Sequence, residues 1–87
     1  MTGSYSLVIK KSAERELRNL PKADMRRIAN RIRSLARDPR PSGNEKLSGQ
    51  DRYRIRQGDY RVVYAVDDER RVVEIVKIGH RREVYRK

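Results

Sequence analysis

The chain has 87 residues, with 23 Lys and Arg against 12 Asp and Glu and a formal net charge of +11; the length suits one domain, and the charge attracts polyanions such as RNA, DNA or an acidic protein. There is no cysteine, which excludes disulfides and thiolate metal centres. No N-terminal apolar run resembles a signal peptide and no stretch could span a bilayer as a helix, so a cytoplasmic protein without a membrane partner is expected.

The first stretch with a pattern, "YSLVIK" (Tyr5 to Lys10), alternates weakly and suits a strand. Ser12 can then cap a short helix in which Ala13, Leu17 and Leu20 share a face. Leu20-Pro21 breaks it, because the residue before a proline avoids the α region, and Pro21 can open the next helix at its first position. In that second helix Met25, Ile28, Ala29, Ile32, Leu35 and Ala36 recur at i, i+3, i+4 and i+7, and Arg26, Arg27, Arg31, Arg33 and Arg37 cover the remainder. Asp38-Pro39 stops it. The Pro-, Gly- and Ser-rich stretch "PRPSGNEKLSGQ", Pro39 to Gln50, reads as a loop.

From Arg52 onward the chain reads as β. "RYRIRQ" and "YRVVYAV" flank Gly58-Asp59, and glycine suits the first position of a type II′ turn, so a two-residue hairpin is expected. "DDER" separates the second run from "RVVEIVKIG", which is apolar on both faces as an interior strand is. A polar turn, "HRRE", then leads to "VYRK". No repeat or low-complexity tract is present. The expected class is α+β: two N-terminal helices packed on one face of a small curved, mainly antiparallel sheet, in the order β-α-α-β-β-β.

With Gly58 and Asp59 as the turn, Gln57 faces Tyr60, Arg56 faces Arg61, Ile55 faces Val62, Arg54 faces Val63 and Tyr53 faces Tyr64. Alternation then puts Tyr53, Ile55, Tyr60, Val62 and Tyr64 on the face that covers the helices, and Arg52, Arg54, Arg56 and Arg61 on the other. Like charges directly opposed across strands cost about 0.2–1 kcal/mol; a well-aimed donor at a transition state contributes about 3–4 kcal/mol. The arginine concentration therefore points to an anion, and a phosphate in particular. If Asp68-Glu69 makes a second tight turn, Val72, Glu74, Val76, Ile78 and His80 line up with Arg61, which brings the chain's one histidine toward the arginines as a candidate base. Asp67, Asp68 and Glu69 read as a turn rather than a ligand set, and no metal or other cofactor is expected.

The stretches "LRNLP", "KLSGQDRYRIRQGDYRVVYAVDDE" and "VVEIVKIGHRREVYRK" resemble RelE-type toxins of bacterial toxin–antitoxin systems, over nearly the entire chain. The most specific elements are the "Y-basic-I-basic" strand, "G-x-YR-x-VY" and the final "GHR…VY". The resemblance implies a single RelE-like domain over residues 1–87 and an endoribonuclease that cuts mRNA in the ribosomal decoding site and is held inactive by a cognate acidic antitoxin. Carried over residue by residue, it assigns Arg54 and Arg56 to the basic pair of the first hairpin strand. Arg61 becomes the arginine of "YR-x-VY", Arg81 the arginine after the final glycine, and Tyr85 the C-terminal tyrosine.

Where well-known members carry lysine at the hairpin pair, this chain has arginine, which stays protonated and cannot act as a general base. The expected reaction is metal-independent attack of a ribose 2′-OH on the adjacent phosphorus. Arg56 and Arg61 would hold the phosphate, and Arg52, Arg54, Arg56 and Arg82 would contact the nucleic-acid backbone. Arg81 would stabilise the leaving group, Tyr85 would stack on or orient the reacting nucleotide, and His80 is the candidate base. ParE-type relatives, which inhibit DNA gyrase without nuclease chemistry, and a plain RNA-binding module are the alternatives.

Overall fold

A computed structural model describes residues 4–47 and 52–80. The elements are β1 (Ser6–Ile9), α1 (Lys11–Arg18), α2 (Lys22–Ser34), β2 (Glu45–Leu47), β3 (Arg52–Gln57), β4 (Tyr60–Asp67) and β5 (Val72–His80). They form a five-stranded sheet in the order β1-β5-β4-β3-β2. Its pairs are antiparallel except β1 with β5, which run parallel. The α+β class, with both helices against one sheet face, is as expected.

The helices start and stop by backbone rather than side-chain capping. α1 begins at Lys11 with Lys10 as its extended N-cap, so Ser12 lies inside the first turn instead of capping it. Asn19 closes α1 ahead of Leu20-Pro21, where proline's restriction of its predecessor applies. Pro21 is the N-cap of α2, one place earlier than expected. α2 ends at Ser34, and the chain tightens into i→i+3 bonds from Leu35 to Ile32 and from Ala36 to Arg33. Such bonds satisfy carbonyls left over at a helix end.

The apolar stripes of sequence and structure coincide. Ala13, Ile28, Ile32 and Leu35 from the helices meet Ile55, Val62, Tyr64, Val66, Val73, Ile75 and Ile78 from the sheet. Each fully buried aliphatic side chain contributes about 1.5–3 kcal/mol, so this single layer is what a small domain has to offset its chain entropy. Leu17, Leu20 and Tyr60 pack around its margin.

Two further expectations need correction. Within Pro39 to Gln50, residues Glu45–Leu47 are not loop but β2, paired with β3 through Glu45↔Arg54, Lys46↔Tyr53 and Leu47↔Arg52. The second hairpin is also not tight. Asp67 pairs with Val72, leaving four residues in the turn, with Arg71 in the left-handed region at φ 58°. That loop moves the register by two residues and so preserves which face each residue takes. A bulge then reverses it: Tyr64 pairs with Ile75 but Val63 pairs with Lys77, so Val76 is the extra residue. Val72 and Glu74 lie on the face of Arg61 as expected. Ile78 and His80 do not; they pair with Val62 and Tyr60 on the helix side.

Candidate active site

The first hairpin adopts the expected register throughout. Gln57 pairs with Tyr60, Arg56 with Arg61, Ile55 with Val62, Arg54 with Val63 and Tyr53 with Tyr64. Gly58 has φ 61° while Asp59 is not among the residues of positive φ, the combination of a type II′ turn. Ile55 and Val62 are fully buried against the helices, so their sequence neighbours Arg54, Arg56 and Arg61 must take the opposite face. Arg52 belongs to this row and is exposed.

On that face Arg61 sits deepest, with 5% of its surface exposed. Arg54 is half-buried and Arg56 exposed. The three line a small recess of about 40 Å³ together with Gly43, Glu45 and Ile55. Gly79 lies directly across from Arg61 on β5, so the position opposite contributes no side chain.

Among the described residues, Glu45 is the carboxylate that lines the recess, and reading the sequence missed it. It stands opposite Arg54 on β2 and accepts a hydrogen bond from its guanidinium. That bond, then the charges of Arg54, Arg56 and Arg61, hold the Glu45 carboxyl below the usual carboxylate range. The ionised form is thereby favoured. The signal available beforehand was an acid a short loop away from an arginine-rich strand; nothing local marked the segment as a strand.

His80 is placed elsewhere. It packs edge-on against Tyr60, ring centres 5.8 Å apart, in a pocket with Glu16, Asn19, Leu20, Pro21, Ile78 and Gly79. The sheet separates it from Arg54, Arg56 and Arg61, and the expectation that it joins them is corrected. The physical reason is the Val76 bulge. Arg81, Arg82 and Tyr85 lie outside the described residues.

The loop that delivers Glu45 is tied down at its other end. Arg40 donates from Nε to the Tyr53 hydroxyl at 2.9 Å and through both terminal nitrogens to Asp68, at 3.1 and 2.9 Å. Tyr5 donates to the same Asp68 carboxylate at 2.8 Å. The Tyr64 hydroxyl donates to the Pro39 carbonyl at 2.7 Å, and the Tyr53 and Tyr64 rings stack with centres 5.7 Å apart. The hairpin's own tyrosines therefore anchor the segment that leads to β2.

Comparison with known proteins places the chain in a family. The sequence model of the family described as "ParE toxin of type II toxin-antitoxin system, parDE" matches residues 7–85. The chain is 30% identical to Toxin RelG of Mycobacterium tuberculosis over 87 residues, covering 95% of this chain and 98% of that protein. Among solved structures, the RelE-RelB complex of the archaeon Pyrococcus horikoshii matches with a TM-score of 0.78 and 34% identity, covering 90% of this chain and 96% of that one. The isolated RelE toxin of E. coli matches with a TM-score of 0.79 and 31% identity, covering 88% and 84%. The chain belongs to this toxin family of type II toxin–antitoxin systems, and within the RelE/ParE superfamily it is a RelE-type toxin.

Proposed function

We propose that the protein is a metal-independent endoribonuclease that cuts mRNA on the ribosome and so stops translation. The observation that carries this reading is the recess itself: Arg56 directly opposite Arg61, Arg54 beside them, and an ionised carboxylate, Glu45, at their edge. Such a set matches what phosphodiester cleavage by an internal hydroxyl requires. The 2′-oxygen attacks phosphorus and the bond from phosphorus to the 5′-oxygen breaks, leaving a 2′,3′-cyclic phosphate and a 5′-hydroxyl. Positive charge is needed around the five-coordinate phosphorus, and a proton must leave the 2′-hydroxyl.

Arg56 and Arg61 supply the charge, and their mutual repulsion is relieved when the phosphate enters. Arg54 holds the neighbouring backbone and, until RNA arrives, Glu45. Glu45 takes the 2′-hydroxyl proton; His80 pairs with Tyr60 on the helix side. Arg81 is proposed to stabilise the leaving 5′-oxygen, which takes its proton from water, and Tyr85 is proposed at the reacting base, both on family resemblance. Relatives have been solved as RelE–RelB complexes; an acidic antitoxin that covers the basic face is the corresponding partner here, and it joins the toxin in a hetero-oligomer.

The ParE description of the matching family favours one second reading, a gyrase inhibitor without nuclease chemistry. A single experiment separates the two. Messages programmed on ribosomes are treated with the protein, and 5′ ends are mapped; a message with one 2′-deoxy substitution at the cut site serves as control. Cleavage of the ribose message alone is the expected result. Cutting of the deoxy message would reject 2′-hydroxyl attack. Intact messages together with relaxed plasmid DNA on induction would replace the nuclease with the gyrase reading.

A further inference from the structure

The helix layer carries a second concentration of guanidinium groups, which the recess does not use. On α2, Arg26, Arg27 and Arg33 are exposed and Arg31 is half-buried, while Ile28 and Ile32 take the core side. Arg27 and Arg31 stand one helical turn apart, a like-charge spacing that destabilises a helix. The opposing charge nearby is modest. Arg27 lies 3.9 Å from Asp24, and Arg33 donates at 2.5 Å to the Asn30 amide oxygen, which is neutral.

Arg27 and Arg31 form one wall of a groove of about 400 Å³, lined also by Asn30, Ser34 and, from the sheet, Gln57. Gln57 ends β3 at the hairpin tip, and its neighbour Arg56 points the other way, into the recess. The groove and the recess thus lie on opposite sides of one hairpin tip, a single residue apart in the chain. The groove's chemistry is donor-rich: two guanidiniums, plus the amide nitrogens of Asn30 and Gln57. The Ser34 hydroxyl is committed to the Arg31 carbonyl at 2.6 Å. That set suits phosphate oxygens.

We propose that the groove between α2 and the hairpin tip, lined by Arg27, Arg31 and Gln57, seats the phosphodiester backbone of the RNA strand that enters the arginine recess, beyond the bond that is cut. This rests on the nuclease reading above. A strand held at the scissile phosphate must continue past it, and the hairpin tip is the short way from one basic surface to the next.

The test measures binding of two uncleavable oligonucleotides, each with a 2′-deoxy residue at the cut position, across a range of salt. The short one fills the recess; the long one extends several nucleotides to either side. The Arg27→Gln/Arg31→Gln variant keeps the side-chain stems and is compared with wild type after its melting temperature is checked. On the long oligonucleotide its slope of log K against log salt falls by about 1.4, about 0.7 for each of two phosphates that the variant no longer neutralises on a single strand. The advantage of long over short RNA shrinks with it, while the short oligonucleotide binds as to wild type. Gln57→Glu, which sets a like charge against the phosphate, weakens the long oligonucleotide in the same selective way. Unchanged affinity and slope for the long RNA in both variants overturn the proposal. So does a loss confined to an acidic peptide such as polyglutamate, which assigns the groove to a protein segment. Cleavage is read separately: a wild type that shows the length dependence but leaves ribosome-bound message intact sinks the nuclease reading and leaves the groove standing.

Discussion

Glu45 and Arg54 face each other as cross-strand partners, the carboxylate accepting from the guanidinium at the mouth of the arginine recess. One contact thereby serves two ends. It fixes the three-residue strand β2 to the sheet edge, and it occupies Arg54 with an internal anion where a phosphate is proposed to bind. Replacing Glu45 with glutamine separates these. Glu45→Gln is expected to lower the cleavage rate by about 10²–10⁴-fold, the usual weight of a general base, while RNA binds no more weakly. In the free protein the Glu45 carboxyl is held low by Arg54, Arg56 and Arg61, so the wild-type rate at subsaturating RNA, which reports the free enzyme, should persist on the acid side until below the ordinary carboxylate range. Single-turnover rates against pH check both statements; an unchanged rate in the variant removes Glu45 from the chemistry.

Arg56 and Arg61 are paired in register but differ in burial, and their variants should differ accordingly. Arg56 is exposed; Arg56→Ala should leave stability within about 0.5 kcal/mol and cut the rate by about 10²–10³-fold, the loss seen when one oxyanion donor is removed. Arg61 is 5% exposed, so Arg61→Ala also removes packed stem and should lower the melting temperature. Arg61→Lys keeps the charge but not the planar fork that engages a phosphate through two parallel bonds, and it should recover stability more than activity. Recovery of both would make Arg61 a generic cation rather than a phosphate clamp.

The legible and illegible parts of the molecule differ in a physical way. The β3–β4 hairpin was readable because its turn is two residues with glycine first, which fixes every cross-strand pair from Gln57–Tyr60 to Tyr53–Tyr64. The β4–β5 connection was not. Its left-handed residue is Arg71, a type with no preference for that region, and the bulge at Val76 leaves no mark in an apolar run. One unmarked residue was enough to carry His80 to the other face. β2 was hidden for a third reason: it has no apolar alternation, and its strand character comes from its pairing with β3. The arginines of the site were thus visible in the sequence, and the acid among them was not.

The hairpin turn yields a stability test independent of the chemistry. Gly58 has φ 61°, and a Cβ built there would touch nothing within 4 Å. The cost of Gly58→Ala is therefore backbone strain without a clash, about 1–2 kcal/mol for an L-residue in the left-handed region. Gly58→Asn should cost less, because asparagine visits that region more readily. Denaturant midpoints at constant m-value report the order Gly, Asn, Ala; equal midpoints for all three would contradict the turn type.

Asp68 connects the sheet's far end to the loop that carries Glu45, and its titration offers the last test. Its carboxyl is lowered chiefly by the hydrogen bonds from Arg40 and then Tyr5, with the charges of Arg40 and Arg71 adding to them. A carboxyl with a folded pKa below its unfolded value contributes stability that is fully present above the unfolded pKa and is lost as pH falls through the folded one. The melting temperature of the wild type should therefore drop on acidification below the ordinary aspartate range, and Asp68→Asn should flatten that part of the profile while lowering stability at neutral pH. Arg40→Ala should reproduce the flattening, because it removes the largest cause of the shift, and it also releases the Tyr53 hydroxyl. If either variant keeps the full wild-type acid dependence, the clamp between Arg40 and Asp68 does not form in solution.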